Sequence, residues 1–389
     1  MKTFPVLFLS AAAAALLLSC EKNVSSPSPA LQGGPACGQI TVRIGIDEAE
    51  TKVAYPAAGV KDSQINSVQV LVFDGTDNGS PLETDCYTAF ASGQTSAEIT
   101  LNVSTGQKTL YALVNQDREY LVPDDTVLGD LAYSPVPLSK NSLTNFAMVG
   151  QGIPTVVEYN TNQDEDAQPQ AMRVFVKRML SMIRLEGITV DFDGTSLEGS
   201  SFQIQELYLK NVMGLLPRTL DGITTYSDSE ACTVPLASSF YADASNWYNK
   251  GKKVVTGADY PGDLLIDSSV IDITPGSLVN VGHVLFAAPN KTTTANDSHS
   301  PNWCARMTRL VIKALITGPA SHEMDITTYY VLDLPVLESN KIYNIQNLHI
   351  TRIGKNNDDS DEDIQTGRIK PIISVDPWNP QVENLNYEF

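Results

Sequence analysis

The residues that could perform acid–base or nucleophilic chemistry form no catalytic pattern in this chain. Its four histidines, His283, His299, His322 and His349, occur in unrelated settings without the HExxH spacing of a zinc protease. The sequence contains neither a GxSxG nucleophile elbow nor a glycine-rich phosphate loop followed by lysine. We therefore predict a protein that is not an enzyme and that uses no cofactor.

One acidic cluster has part of the pattern of a calcium-binding loop. Carboxylates recur closely between residues 358 and 363, which places oxygen ligands at alternate positions. The glycine and the distal glutamate of an EF-hand loop are missing. A solvated linker is therefore the preferred interpretation, and calcium binding is the alternative. The cluster consists of Asp358, Asp359, Asp361, Glu362 and Asp363.

Cys20 is the residue at which the sequence indicates covalent modification. Lys2 and the apolar run from Phe4 to Leu18 have the layout of a secretory signal and are too short for an ordinary membrane span. The last four residues of this segment, LLSC, resemble a bacterial lipobox. We predict that residues 1–20 are a lipoprotein signal peptide and that Cys20 carries the lipid of an exported protein. A plain signal peptide that contains a cysteine is the alternative.

Composition limits the partners and the fold. The 389 residues carry a formal net charge of −19, and the pI is about 4.5, which argues against nucleic-acid binding because that requires a basic face. With 25 glycines, 22 prolines and many β-branched runs, the sequence predicts β-structure. At about 100–200 residues per domain, two β-rich domains fit this length.

Four cysteines remain when Cys20 is assigned to lipid: Cys37, Cys86, Cys232 and Cys304. They lack the spacing of a metal site, and an exported protein meets an oxidising environment. Two disulfides are therefore allowed, with three ways of pairing four cysteines. A bond between Cys37 and Cys86 would matter most, for a reason given below.

Strands are predicted where apolar residues alternate along the chain. The segment from Gln39 to Ile46 has four apolar side chains on one face, which is typical of a half-buried strand. The run from Ile65 to Asp74 is apolar enough to be buried on both faces. The four apolar side chains on one face of the segment from Gln39 to Ile46 are Ile40, Val42, Ile44 and Ile46.

The last stretch of the sequence, residues 369–389, contains two further alternating runs separated by Pro377 and Pro380. Chain ends are usually frayed and polar, so apolar residues at alternate positions there require a groove. The groove belongs either to the same molecule or to a neighbour, which the segment would enter by strand addition. Its apolar residues are Ile373, Val375, Trp378, Val382, Leu385, Tyr387 and Phe389.

A polar stretch from Asn160 to Gln170 separates the predicted strands into two groups. We therefore predict an N-terminal domain at residues 53–168, a C-terminal domain at residues 169–368 and a separate segment at residues 369–389. Residues 21–52 comprise a flexible Ser- and Pro-rich tether, the first strand and a charged link.

Taken together, these features resemble the fimbrillins, the type V pilus subunits of Bacteroidota. The resemblance extends over nearly the whole chain. It rests on the lipobox, the first strand, the lysine-containing link, and four segments: KTLYALVN (108–115), KRMLSMIRL (177–185), KIYNIQNLHITRIG (341–354) and SVDPWNPQVENLNYEF (374–389).

The resemblance implies an all-β fold of two transthyretin-like β-sandwich domains in tandem, followed by a C-terminal donor strand. It also implies a lipoprotein precursor in the outer membrane, which a Lys- or Arg-specific protease cuts after the first strand. The groove left by that strand is then filled by the donor strand of another subunit, and the mature protein lies in cell-surface fimbriae. Its partners would be further copies, anchor and tip subunits, and a host or bacterial surface ligand.

Carried onto this sequence, the resemblance places the cut between Lys52 and Val53, with Arg43 as the alternative. The displaced strand would contain the four residues from Ile40 to Ile46 listed above, and the seven apolar residues from Ile373 to Phe389 would form the donor. Having both a link that can be cut and an apolar tail favours a stalk subunit over an anchor or tip subunit.

The alternative function is that of a surface glycan-binding lipoprotein. It would have the same β-sandwich domains and lipid anchor, but loop aromatics would stack on sugar rings and the C-terminal segment would stay in its own fold. The aromatic candidates are Tyr241, Trp247, Tyr248 and Trp303.

Overall fold

The computed structural model describes residues 37–46, 60–116, 125–133, 135–158, 169–216, 218, 246–249, 261–291, 306–319, 325–358 and 373–377. This part of the chain is almost entirely β-structure, which confirms the all-β prediction. Its helices are two 3₁₀ turns, Leu128–Tyr133 and Leu138–Lys140, and the single turn α1, Gly262–Leu265. None of these described helices is long and apolar enough to cross a membrane.

Nine strands precede residue 179 in the described chain. The strands are β1 (Cys37–Ile46), β2 (Ile65–Asp74), β3 (Leu82–Gln94), β4 (Ser96–Ser104), β5 (Gly106–Val114), β6 (Val136–Pro137), β7 (Met148–Gln151), β8 (Thr155–Val157) and β9 (Gln170–Arg178). β1 and β2 match the alternating runs of the sequence, whereas β3, β6, β7 and β8 were not predicted.

All of these strands except β6 form one eight-stranded sheet. Its order is β3-β2-β5-β7-β9-β1-β4, with β8 paired to β5. The two ends of this order come together, because β4 also contacts β2 and β3. The enclosed core contains the inward side chains of β1 together with residues of β2, β4, β5 and β9. β1 is therefore an interior strand of the N-terminal sandwich.

β2 is buried on both faces, as its sequence predicted. Val68, Val70 and Val72 face the core of the N-terminal sandwich. Leu71 and Phe73, on the opposite parity, belong to a second apolar cluster that continues into the C-terminal half of the chain. The two halves therefore share a packed apolar junction.

The remaining strands form the C-terminal half. The strands are β10 (Ser181–Val190), β11 (Ser201–Lys210), β12 (Val212–Met213), β13 (Leu215–Leu216), β14 (Trp247–Tyr248), β15 (Ile266–Asp267), β16 (Ile271–Ile273), β17 (Leu278–Ala287), β18 (Arg309–Thr317), β19 (Asp325–Asp333), β20 (Lys341–Ile345), β21 (Leu348–Ile350) and β22 (Ile373–Pro377).

Two five-stranded sheets pack in this half of the described chain. One has the order β17-β10-β20-β22 with β21 beside β10, and the other has the order β15-β11-β18-β19 with β16 beside β11. A short pair of strands links the two halves, in which β13 runs antiparallel to β6. Phe146 and Phe286 also meet across the junction, with ring centroids 4.9 Å apart.

The change from one half to the other occurs after β9. This strand pairs with β1 and β7, whereas β10 pairs with strands of the C-terminal half. Sheet pairing thus places residues 170–178 with the N-terminal sandwich, although the sequence assigned them to the C-terminal domain. In sequence, the polar stretch that suggested the boundary lies between β8 and β9, both of which pair with strands of the N-terminal sandwich. The division at residue 168 remains a prediction, and the pairing favours a later one.

Candidate functional site

β1 occupies a slot between two neighbouring strands. It runs antiparallel to β4 and parallel to β9, so both of its edges are paired. Ile40, Val42 and Ile44 are almost fully buried, and Ile46 is 7% exposed at the end of the strand. The prediction that these four side chains share one buried face is confirmed. The slot is lined by Ala97, Ile99, Leu101 and Val103 of β4 and by Met172, Val174 and Val176 of β9.

The outward face of β1 carries polar side chains that pair with β4. Thr41 Oγ1 lies 3.0 Å from Thr100 Oγ1, and Arg43 Nε lies 2.9 Å from Glu98 Oε2. Arg43 thus belongs to a strand whose backbone is paired on both sides. A protease that binds extended substrates requires a free backbone, so this residue is a poor site for cutting.

The chain after the predicted cleavage link is held at the junction between the two halves. The Lys61 backbone N–H donates to the Leu143 carbonyl oxygen over 2.7 Å. Arg178, which is 3% exposed, donates from Nε to the Asp62 carbonyl oxygen over 2.8 Å. The start of the chain after the link therefore has contacts of its own that do not involve β1.

The C-terminal segment enters the described structure only as β22. Residues 373–377 pair antiparallel with β20, at the edge of a C-terminal sheet of the same chain. The backbone of Ile373 and Val375 therefore lies in its own molecule, because the open edge of β20 provides pairing groups. Their role as donor residues remains a prediction. Trp378, Val382, Leu385, Tyr387 and Phe389 lie outside the described residues, as do Cys20, Lys52 and Val53.

Residues 39–178 match the family model of the major fimbrial subunit protein FimA. The match begins inside β1 and ends on the last residue of β9, so it coincides with the N-terminal sandwich. Over these residues the chain is similar to the FimA family. The resemblance to the fimbrillins is thereby confirmed for this part of the chain.

Solved structures show that the FimA-type fold extends over both halves. The fimbrilin FimA of Porphyromonas gingivalis W83 has 14% identity, covers 89% of this chain and 98% of its own, and gives a TM-score of 0.54. A candidate cell adhesion protein of Bacteroides eggerthii has 17% identity, with 89% and 97% covered and a TM-score of 0.54. Another, from Parabacteroides distasonis, has 16% identity, with 90% and 99% covered and a TM-score of 0.54. No curated protein matches the chain in sequence.

Cys86 of the FimA-type sandwich is disulfide-bonded and buried. It lies on β3 and faces the same core as the inward side chains of β1. The side chains of Cys37, Cys232 and Cys304 lie outside the described residues. The expectation of a disulfide is therefore confirmed for Cys86, and its pairing with Cys37 remains a prediction.

A buried lysine of the FimA-type sandwich was missed by the sequence analysis. Lys108 Nζ lies 2.6 Å from Asp74 Oδ1 and 2.7 Å from Glu83 Oε2, and it donates to Ser104 Oγ over 2.7 Å. Burial lowers the pKa of this ammonium, but hydrogen bonds and charges from Asp74 and Glu83 outweigh burial and raise it. Its parity was the available signal, because Lys108 alternates with Leu110 and other buried residues of β5.

The aromatic face expected of a glycan-binding protein is not formed by Trp247. This side chain is 4% exposed and packs in the apolar cluster at the junction, because β14 pairs with β12. Trp247 therefore cannot stack on a sugar, which rules it out as a residue of the glycan-binding alternative and agrees with a packing role. Tyr248 is half-buried in the same cluster, and Tyr241 and Trp303 lie outside the described residues.

Asp358, the first residue of the acidic cluster, already has protein partners. Its Oδ2 accepts a hydrogen bond from Tyr208 OH over 2.7 Å and lies 3.7 Å from Lys210 Nζ. Burial, and then this carboxylate, raise the pKa of Tyr208 well above its ordinary value. Asp358 therefore has a structural role in the fold, and the other four residues of the cluster lie outside the described chain.

Proposed function

We propose that this protein is a stalk-type subunit of a cell-surface fimbrium that polymerises by strand exchange. In this proposal Cys20 carries the lipid of an outer-membrane precursor, and a Lys- or Arg-specific protease cuts after Lys52. β1 then leaves its slot, and the C-terminal segment of another copy replaces it. The FimA family match supports the structural role in fimbriae, and the remaining steps are the proposal.

The main support for the proposal is that β1 is an interior strand of its sheet but lies directly before the link with Lys52 in the sequence. β1 is an interior strand, yet on its C-terminal side it is joined to the fold only through residues 47–59, which contain Lys52. One cut in this link separates a core strand from the domain that it completes. On its other side β1 leads back toward Cys20, so the released strand would stay with the lipid.

Removing β1 would open a site that requires a replacement strand. Its inward side chains stabilise the sandwich by about 1.5–3 kcal/mol each when fully buried. Its departure would also leave the facing edges of β4 and β9 without backbone partners. An extended segment with alternating apolar residues satisfies both needs by strand addition.

The donor in this proposal is the part of the chain that follows β22. β22 is the edge strand of its sheet and ends at Pro377, and the proposed donor residues follow it in the sequence. Leu385, Tyr387 and Phe389 alternate there with polar residues, as the inward residues of β1 do. Partners in the fibre would be further copies together with anchor and tip subunits.

Cleavage of the purified, lipid-free precursor tests the proposal. A Lys- or Arg-specific protease should produce one new N-terminus, at Val53, because Arg43 is paired on both sides. After reduction the product should form a ladder of oligomers on an unboiled denaturing gel, and boiling should collapse the ladder. Buried apolar side chains and a backbone ladder make such joints slow to dissociate.

Two variants provide the controls for this cleavage. Lys52→Gln should remain uncut and monomeric, whereas Lys61→Gln should be processed like the parent because its exposed side chain lies beyond the link. Cutting at Arg43, or a fully processed and reduced protein that stays monomeric, would contradict the proposal. The latter result would leave the C-terminal segment within its own fold.

A further inference from the structure

We propose that the tail of a second copy enters the slot of β1 in a single register, running in the same direction as β1. This inference rests on the proposed function, because it requires β1 to leave and a second copy to supply residues 383–389. In an extended strand these seven residues span about 23 Å at ~3.3 Å each, the same length as residues 38–44. The register places Leu385 where Ile40 lies, Tyr387 where Val42 lies and Phe389 where Ile44 lies.

Sequence parity first limits the choice to registers that differ by two residues. Odd-numbered residues of the tail are apolar from Leu385 onward, and even-numbered residues of β1 face the core. A shift by one residue would turn every apolar side chain of the tail to the outside. Only shifts of two residues preserve the buried face.

Glu383 excludes the shift of two toward Ile46. That shift would bring the Glu383 carboxylate to the place of Ile40, which is 0% exposed and packs in the apolar core. Burying an unpaired carboxylate among apolar side chains costs several kcal/mol in real proteins. In the proposed register Glu383 falls at Gly38 instead, which is also buried but lies next to the first residue of β1, at the end of the slot.

The side chains of β4 argue against the opposite shift. Ile44 is opposite Ala97, the smallest inward residue of β4, and the proposed register brings the large ring of Phe389 to that place. The opposite shift would set Phe389 against Ile99 and Tyr387 against Leu101. Large residues facing small ones fill a core, whereas large residues facing one another overpack it.

Two of the three outward positions are consistent with this register. Asn384 would take the place of Gln39, whose Nε2 donates to Asn102 Oδ1 over 3.3 Å, so an amide again faces Asn102. Asn386 would take the place of Thr41 and would face Thr100. A polar pair is thus retained at these two positions. Glu388 would take the place of Arg43 and face Glu98, which sets two carboxylates side by side at a small cost, because both positions are exposed.

Paired cysteines test the register, because Thr41 and Thr100 touch across β1 and β4. The full chain with Thr100→Cys and Asn386→Cys is cleaved and assembled under reductant, and the reductant is then removed. We expect most of this variant to run as covalent oligomers on a non-reducing denaturing gel. The parent chain, with its natural cysteines, gives the background, and added reductant should dissolve the oligomers.

Two further variants measure the alternatives. Thr100→Cys with Asn384→Cys reports the shift toward Ile46, and Thr100→Cys with Glu388→Cys reports the opposite shift or a reversed strand. Stronger cross-linking in either variant, cross-links confined to monomers, or oligomers without cross-links above background would each overturn the register. If the processed parent forms no oligomers at all, the proposed function itself fails, and the register fails with it.

Discussion

At the scale of single residues, Lys108 is a buried charge on which the N-terminal sandwich depends. Its side chain is fully buried and forms ion pairs with two carboxylates. Glu83 is 20% exposed and Asp74 is 56% exposed. Ser104, a third partner of the ammonium, faces Cys37 at the first residue of β1. The cluster therefore lies at the end of the slot through which strands would exchange.

Lys108→Met is expected to destabilise the sandwich by about 3 kcal/mol, because removing one member of a buried ion pair leaves its partner uncompensated. Urea unfolding measures this change as a lower midpoint at unchanged slope. Lys177→Met is the matched control, since Lys177 is exposed on β9 and its loss should change the midpoint little. Equal midpoints for the two variants would show that the cluster contributes nothing.

The pH dependence of the unfolding midpoint, measured for the parent and for Lys108→Met, gives a second test of the Lys108 cluster. The pKa of Lys108 is raised in the folded state above its unfolded value of about 10.4. The stabilisation by Lys108 is therefore fully present below the unfolded pKa and is lost as the pH rises through the folded pKa. The difference in midpoint between the parent and Lys108→Met should stay constant from neutral pH to about 10 and shrink above it.

At the scale of elements, β22 and the tail that follows it should be separable. β22 completes the edge of a sheet in its own chain, whereas the tail is the proposed donor. A chain that lacks residues 382–389 should therefore unfold in urea like the parent monomer but form no oligomers after processing. A chain that lacks residues 373–389 should also lose monomer stability, because β20 then keeps β10 as a partner but loses β22 on its other edge. Loss of stability in the shorter deletion would favour the glycan-binding alternative.

Sequence patterns predicted the strands that have the same faces buried along their whole length. β1 and β2 were found with their buried faces, because one or both faces of each are covered along the whole strand. β3 was missed because Asp85, Thr88 and Ser92 interrupt its apolar residues, and its place in the sheet comes from pairing with β2. β9 was assigned to the C-terminal domain because the local pattern cannot reveal that β9 pairs back to β1.

The candidate site was predictable only in part for a similar reason. The inward residues of β1 follow from alternation, but the slot that they fill is formed by β4 and β9, which are distant in sequence. For Trp247 the sequence left packing and sugar binding open, because whether a loop aromatic is covered depends on another segment, here through the pairing of β14 with β12. Such contacts arise from tertiary packing, which periodicity does not encode.

At the scale of the whole molecule, the disulfide of Cys86 bears on how the subunit is activated. Cys86 lies in the core that β1 completes, and Cys37 is the first residue of β1. If these two residues are the partners, cutting after Lys52 leaves β1 covalently attached to β3. Proteolysis alone would then not open the slot, and the subunit would assemble only after reduction.

Intact mass after cleavage tests this pairing. For the parent cut without reductant we expect the released strand and the body to remain one species, and reductant should separate them and permit oligomers. Cys37→Ser should separate on cleavage alone, because no covalent bond then holds β1. Cys232→Ser is the matched control and should behave like the parent, since Cys232 lies in the C-terminal half of the sequence. Separation of the parent without reductant would assign Cys86 to another partner and leave cleavage as the sole trigger of exchange.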